Sequence, residues 1–171
     1  MKKILFTLLI GIAFSTGIAS AQTTFQAFLS GLSENPPNAS PATGFGTVVL
    51  NLAQTLITVD ENWSGLVAPA SASHIHNGAP GVNGPVTFAL TGVPAATSGA
   101  IPTQVFAITP AQVASLFAGN MYFNVHDGAF PGGEIRGQLQ VVPEPSTLAL
   151  VGLGVTGVVV RARNKKRATK A

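Results

Sequence analysis

The 171-residue sequence contains no cysteine, one tryptophan and one tyrosine, and only 9% of its residues are charged. Without cysteine there can be no disulfide bond, so stability must come from a core, hydrogen bonds or a bound ligand. Between residues 22 and 142 the single base Arg136 stands against five acids, a net charge of −4. Because a nucleic-acid-binding domain needs a basic surface to hold phosphates, that class is excluded.

Patterns typical of catalytic sites are also missing. There is no Gly-x-Ser-x-Gly segment that would place a serine nucleophile on a sharp turn. Five scattered acids single out no pair for glycoside hydrolysis, and Trp63 and Tyr122 are too few to predict a carbohydrate platform. The glycines of "GAPGVNGP" are interrupted by prolines and lead into a strand, whereas a phosphate loop opens a helix. We therefore expect a non-enzymatic protein.

The first 21 residues have the three parts of a secretory signal. Lys2 and Lys3 precede the apolar run "ILFTLLIGIAF", and Ala19-Ser20-Ala21 stands before Gln22. The pattern predicts a signal helix over residues 1–21 that signal peptidase removes, so the protein is exported.

The other end, residues 143–171, combines Pro143-Glu144-Pro145, an apolar run and a basic cluster. A hydrophobic helix over residues 146–160 would be about 22 Å long, short of the ~30 Å hydrocarbon core, and would cross a membrane only marginally. The basic cluster would stay in the cytoplasm and leave the preceding domain outside. The alternative is a buried core helix with a solvated tail.

This C-terminal pattern resembles the PEP-CTERM sorting signal. The resemblance implies that exosortase, a membrane protease, removes the tail while residues 146–160 transiently occupy the inner membrane. It also implies a Gram-negative bacterium that makes extracellular polysaccharide. The expected location is the cell surface or the extracellular space, and the expected ligand a polysaccharide or a protein.

Residues 22–142 predict one all-β domain, because apolar residues alternate in short runs separated by turn residues. The alternation places Phe25, Ala27 and Leu29 on one face of a first strand. It places Val48, Leu50 and Leu52 on one face of a second strand. Further strands are expected at 55–66, 72–77, 84–90 and 103–108. A single short helix near 109–118 is predicted by a capping box, with Thr109 as N-cap and Gln112 three residues later.

The segments "MYFNVHDG" and "EIRGQLQV" predict an antiparallel hairpin around "DGAFPGG". If His126 faces Glu134, Val125 pairs with Ile135, and apolar residues meet apolar residues throughout. Ile135, Leu139 and Val141 would then face inward, and Glu134, Arg136, Gln138 and Gln140 would face water. Arg136 is expected either to anchor a ligand or to clamp the long turn structurally.

The order of short motifs in this domain resembles the CHRD domain, named after chordin. The resemblance covers residues 25–139, and "HIH", "NGPV" and "FPGGEIRGQL" are its most specific parts. It implies an extracellular antiparallel β sandwich or barrel, immunoglobulin-like or superoxide-dismutase-like, that serves in binding with no established reaction.

Three histidines, His74, His76 and His126, are all that the chain contains. On a strand, residues i and i+2 share a face, so His74 and His76 offer two rings to one ion, and His126 lies on the polar face of its own strand. Three neutral imidazoles with an open fourth position suit copper or zinc, with Asp127 or Glu134 as a further ligand or supporting group. The "HIH" pair is similar to that of copper-zinc superoxide dismutase. The alternative is that these rings only hydrogen-bond loop backbone or lie at the edge of the sheet.

Overall fold

The computed structural model describes residues 22–143, which form an antiparallel sheet with one short α-helix. A 3₁₀ turn at Gly31–Ser33 and a helix α1 at Pro110–Phe117 interrupt the strands. The strands are β1 Thr23–Ser30, β2 Thr43–Leu50, β3 Leu56–Ser64, β4 Ala70–Asn77, β5 Val86–Ala89, β6 Gly99–Ala100, β7 Gln104–Ala107, β8 Met121–Asp127, β9 Ile135–Gln138 and β10 Gln140–Val141.

The strands make one curled sheet in the order β5-β4-β8-β9-β1-β2-β3-β6, with β10 paired to β1 and β7 paired to β3. Side chains bring the two ends of this sheet together. The Phe88 and Phe106 rings lie 5.2 Å apart, and Gln104 accepts hydrogen bonds from Thr91. The predicted all-β sandwich or barrel is confirmed.

The core lies inside the curl and follows the period of two. Phe25, Ala27 and Leu29 are at most 2% exposed, as predicted. The prediction for Leu52 is wrong: β2 ends at Leu50, and Leu52 lies in the following turn, 56% exposed. Val141 is also exposed instead of facing inward, because it lies on the two-residue strand β10 beyond the covered part of the sheet.

Helix α1 begins where the capping box predicts. The Thr109 hydroxyl accepts a hydrogen bond from the Gln112 amide, and the Gln112 side chain accepts one from the Thr109 amide. These two bonds satisfy amides that have no partner within the helix. At its other end, the Phe117 ring packs edge-on against Phe25, with 5.2 Å between ring centroids. The helix thus closes one end of the core.

The predicted β8–β9 hairpin is confirmed, with Val125 opposite Ile135 and Phe123 opposite Gly137. One expectation about it is wrong: Glu134 and Arg136 do not face water, since they are 0% and 2% exposed. Both side chains are covered by loops from distant parts of the chain, which hydrogen-bond to them. Strand alternation alone predicts the face on which a residue lies but not whether a loop covers that face.

The predicted signal helix over residues 1–21 and hydrophobic helix over residues 146–160 both lie outside the described residues. Within residues 22–143, no helix is long and apolar enough to cross a membrane.

Candidate metal centre

The three histidines lie together on the outer face of the sheet, where β4 pairs with β8. Inner and outer residues alternate along β4, so Ser73 and Ile75 are buried while His74 and His76 point to the other side. In the register of β4 with β8, His126 lies opposite Ala72, and His74 lies opposite Asn124. His126 is therefore a diagonal neighbour of His74, within reach of a long side chain.

The distances between the rings are short for all three pairs. Ring centroids are 5.0 Å apart for His74 and His126, 5.6 Å for His74 and His76, and 5.8 Å for His76 and His126. One nitrogen from each ring lies within 4.8 Å of the other two. Histidine–metal bonds are about 2.0 to 2.1 Å long, so a small inward movement of the rings would let one ion contact all three nitrogens.

Hydrogen bonds to backbone carbonyls determine which nitrogen of two of these rings is free. His76 Nδ1 lies 2.9 Å from the Gly84 carbonyl oxygen, and His126 Nδ1 lies 3.1 Å from that of Pro131. Because a carbonyl can only accept, each Nδ1 carries the hydrogen and donates it, and each Nε2 keeps its lone pair. Metal-binding histidines are commonly oriented by such a second hydrogen bond.

The nitrogens left over are buried and have no hydrogen-bond partner: His74 Nδ1, His76 Nε2 and His126 Nε2. Buried polar atoms nearly always have a partner, so three such atoms directed toward one another require an explanation. With the hydrogen of His74 on Nε2, a cation bound between them would satisfy all three nitrogens.

Burial also keeps these rings uncharged. The pKa of His126 is lowered to about 4, chiefly by burial; the hydrogen bond to the Pro131 carbonyl acts against this shift, and the His74 and His76 rings contribute to it. The pKa values of His74 and His76 are lowered as well, chiefly by burial. Neutral imidazole is the form that donates a lone pair to a metal, so the trio is ready to bind at neutral pH.

Tyr122 and Arg136 support the site from one side. The Tyr122 ring stacks on His76 with 5.0 Å between centroids and an 11° interplanar angle, and the Arg136 guanidinium carbon lies 3.5 Å from the Tyr122 ring centroid. The Tyr122 hydroxyl accepts a hydrogen bond from the Gly84 amide, the residue whose carbonyl holds His76. The stacking on Tyr122 thus fixes the orientation of the His76 ring, and the Gly84 carbonyl fixes which of its nitrogens carries the hydrogen.

Arg136 also anchors the loop that carries Gly84. Its guanidinium donates to Asn83 Oδ1 at 3.0 Å and to the Val82 and Ala79 carbonyl oxygens at 2.8 and 3.4 Å. The structure therefore places this arginine against residues 79–83, and not against the long turn of the β8–β9 hairpin.

Asp127 and Glu134 lie away from the metal centre. Asp127 accepts hydrogen bonds from the Ala68 and Phe130 amides, and Glu134 accepts from Val67 and from the Ser40 hydroxyl. Among residues 22–143, the group of potential ligands around the trio consists of the three histidines. The expectation that either acid joins the site as a ligand is therefore wrong, because Asp127 points to the opposite face of β8 and the loop after β3 uses both carboxyls.

Sequence reasoning missed Tyr122 and Asn124 as neighbours of the site. Asn124 is 4% exposed, and its Oδ1 atom has no partner. Alternation along β8 places both residues on the face of His126, but their proximity to His74 and His76 depends on the pairing of β4 with β8. No local pattern predicts that pairing.

The comparisons with known proteins agree with the two resemblances. A family model of the CHRD domain matches residues 25–139, and a model of the PEP-CTERM protein-sorting motif matches residues 141–164. No curated protein and no solved structure matches the chain.

Proposed function

The chain belongs to the CHRD domain family, and we propose that this exported protein binds one copper or zinc ion through His74, His76 and His126. The PEP-CTERM motif supports export and processing by exosortase. The metal centre would thus act at the cell surface or in the extracellular space.

The observation that carries this proposal is the convergence of three buried ring nitrogens without partners. Leaving a buried acceptor unsatisfied costs about 1 to 3 kcal/mol, and one ion would satisfy three of them. The alternative, in which the rings only hold loop backbone, accounts for the Nδ1 atoms of His76 and His126 but leaves the other nitrogens without a partner.

Three neutral nitrogen ligands with an open position are typical of copper and zinc centres. A bound ion would supply Lewis acidity or, for copper, electron exchange. The protein's own part is to keep the rings neutral, to orient them through the Gly84 and Pro131 carbonyls, and to shield their nitrogens from water. We assign no catalytic residue to this centre.

Elemental analysis of the exported protein, purified from producing cells without a histidine tag, tests the proposal. We expect close to one equivalent of copper or zinc per chain. The variant His126→Gln should lose this metal, whereas Asn62→Ala, an exposed polar position on β3, should retain it. Substoichiometric metal in the wild type even after loading with either ion would refute the proposal.

An open groove on the outer side of β1 supports a second proposal, that the exported domain contacts extracellular polysaccharide. The groove has a volume of about 410 Å³, and its lining includes the 77% exposed Phe28 ring and the glutamines at positions 26, 138 and 140. An exposed ring with amide groups beside it suits a neutral sugar. Loss of co-sedimentation with the producing cells' own polysaccharide in Phe28→Ser, but not in Val105→Ser, would support it, and equal retention of both variants would refute it.

A further inference from the structure

The metal centre contains no anionic ligand. All three candidate ligand atoms are imidazole nitrogens, and within residues 22–143 no carboxylate oxygen joins their cluster. Neutral ligands leave the full charge of a bound ion in place, so a divalent ion would keep a charge of +2. A monovalent ion would keep only +1.

Two of the nearby acids add no negative charge to the centre. The nearest acid in sequence, Asp127, is on the opposite face of β8, where backbone amides hold it. Glu61 lies in the core under Ser73, and burial raises its pKa to about 8, so it is mainly uncharged at neutral pH. Neither side chain offers a negative charge to the outer face.

Arg136 adds a positive charge instead. Its guanidinium lies against the face of Tyr122, whose ring stacks on His76. The positive charge of this guanidinium therefore raises the electrostatic potential at the His76 ring. The same potential opposes an added metal charge, and it opposes a dication twice as strongly as a monocation.

Burial strengthens the preference for a monovalent over a divalent ion. The free nitrogens of the trio are inaccessible to solvent, so an ion bound there loses much of its hydration. The cost of moving an ion out of water rises with the square of its charge, which makes it roughly four times larger for a dication than for a monocation of equal size.

From these features we infer that the ion held by His74, His76 and His126 is monovalent copper, Cu(I), in preference to Cu(II) or Zn²⁺. The inference rests on the proposed metal-binding function and goes beyond it in naming the oxidation state. Cu(I) accepts three nitrogen ligands without a fourth, which matches the number that the structure brings together.

Competition titrations of the metal-free exported protein test this inference. Cu(I) is titrated without oxygen against bicinchoninate, and Cu(II) and Zn²⁺ are titrated against nitrilotriacetate. We expect one equivalent of Cu(I), bound at least a hundredfold more tightly than Cu(II). If Cu(II) or Zn²⁺ binds stoichiometrically and as tightly as Cu(I), the inference is wrong while the proposed function stands. If no ion binds stoichiometrically, both are wrong.

Variants of Arg136 separate its charge from its structural contacts. Arg136→Gln should reduce the preference for Cu(I) over Cu(II) about tenfold, which lowers the reduction potential of bound copper by about 59 mV. Arg136→Lys keeps the charge and should keep the preference, although it loses most contacts to residues 79–83. A folded Arg136→Gln protein with an unchanged preference would overturn the inference.

If Arg136→Gln does not fold, Glu34→Gln provides the opposite test. Burial raises the pKa of Glu34 to about 7 against the opposing charge of Arg136, so at pH 8 its carboxyl is mainly ionised and partly compensates the arginine. Removing this carboxyl leaves the arginine less compensated, so the preference for Cu(I) should increase. A decrease would overturn the inference.

Discussion

His126 and Asp127 are consecutive residues of β8, yet they belong to two different kinds of polar cluster. Asp127 points toward the loop after β3, and its carboxylate accepts hydrogen bonds from the Ala68 amide of that loop and from the Phe130 amide of the β8–β9 turn. His126 points to the outer face, where its Nε2 atom is buried without a partner. The carboxyl cluster is complete by itself, whereas the histidine cluster lacks a group that all three rings could contact.

Glu61 shows that a missing partner alone does not indicate a metal. Its Oε1 atom is also buried and unpaired, but among residues 22–143 it belongs to no group of three potential ligands, and its other oxygen accepts a hydrogen bond from the Ser73 hydroxyl. A single buried carboxylate can be neutralised by a proton, and burial accordingly raises its pKa to about 8. Only a convergent set of unpaired bases favours a metal.

The largest expected effect on stability comes from a substitution in the carboxyl cluster. Asp127→Ala leaves two backbone amides without their acceptor and should lower the free energy of unfolding by about 3 kcal/mol, as measured by urea denaturation. Asp60→Ala, which removes a half-buried carboxylate that accepts one hydrogen bond from the Thr103 hydroxyl, should cost only about 1 kcal/mol. If a folded Asp127→Ala protein failed to bind metal, the separation of the two clusters would be incorrect.

Binding of a metal ion to the histidine cluster should stabilise the protein. Free metal at a hundred times its dissociation constant raises the free energy of unfolding by about 2.7 kcal/mol, because only the folded state assembles the site. Thermal unfolding with and without metal measures this gain. Asn62→Ala should show the same gain as the wild type and His126→Gln none, and an equal gain in all three proteins would contradict the assignment.

The protonated state of Glu61 predicts a dependence of stability on pH. The pKa of Glu61 is about 8 in the folded protein, above its ordinary value of 4.5. Its contribution to the free energy of unfolding is therefore complete below pH 4.5 and is lost as the pH rises to about 8. Between pH 5 and pH 6.5 the metal-free wild type should lose about 2 kcal/mol more stability than Glu61→Gln. Parallel pH profiles for the two proteins would show that Glu61 is not neutral in the fold.

The smallest expected effect concerns the loop that orients His76. Asn83→Ala removes an acceptor of Arg136 and should lower stability by about 1 kcal/mol and metal affinity about fivefold. Asn51→Ala is a matched control, since Asn51 accepts amide hydrogen bonds from Thr55 and Leu56 in a turn that does not contact the histidines. An equal loss of metal affinity in both variants would assign the effect to general stability.

Local patterns in the sequence determined several parts of this structure. The capping box of Thr109 and Gln112 determined where α1 begins, because its hydrogen bonds join residues three positions apart. The β8–β9 register followed from matching the apolar faces on either side of one turn, since a slip by one residue would reverse every side chain. The same alternation placed His74 and His76 on one face.

Only the tertiary structure decided what lies across from that face. The pairing of β4 with β8, 44 or more residues apart at every pair, brought His126 to the other two rings, and no local pattern determines so distant a pairing. The loop at residues 78–85 and the segment after β3 then covered Arg136 and Glu134, which alternation alone had assigned to water. The histidine motif therefore came from the sequence, but the unpaired nitrogens came from packing, because a lone pair lacks a partner only once the fold has excluded water from it.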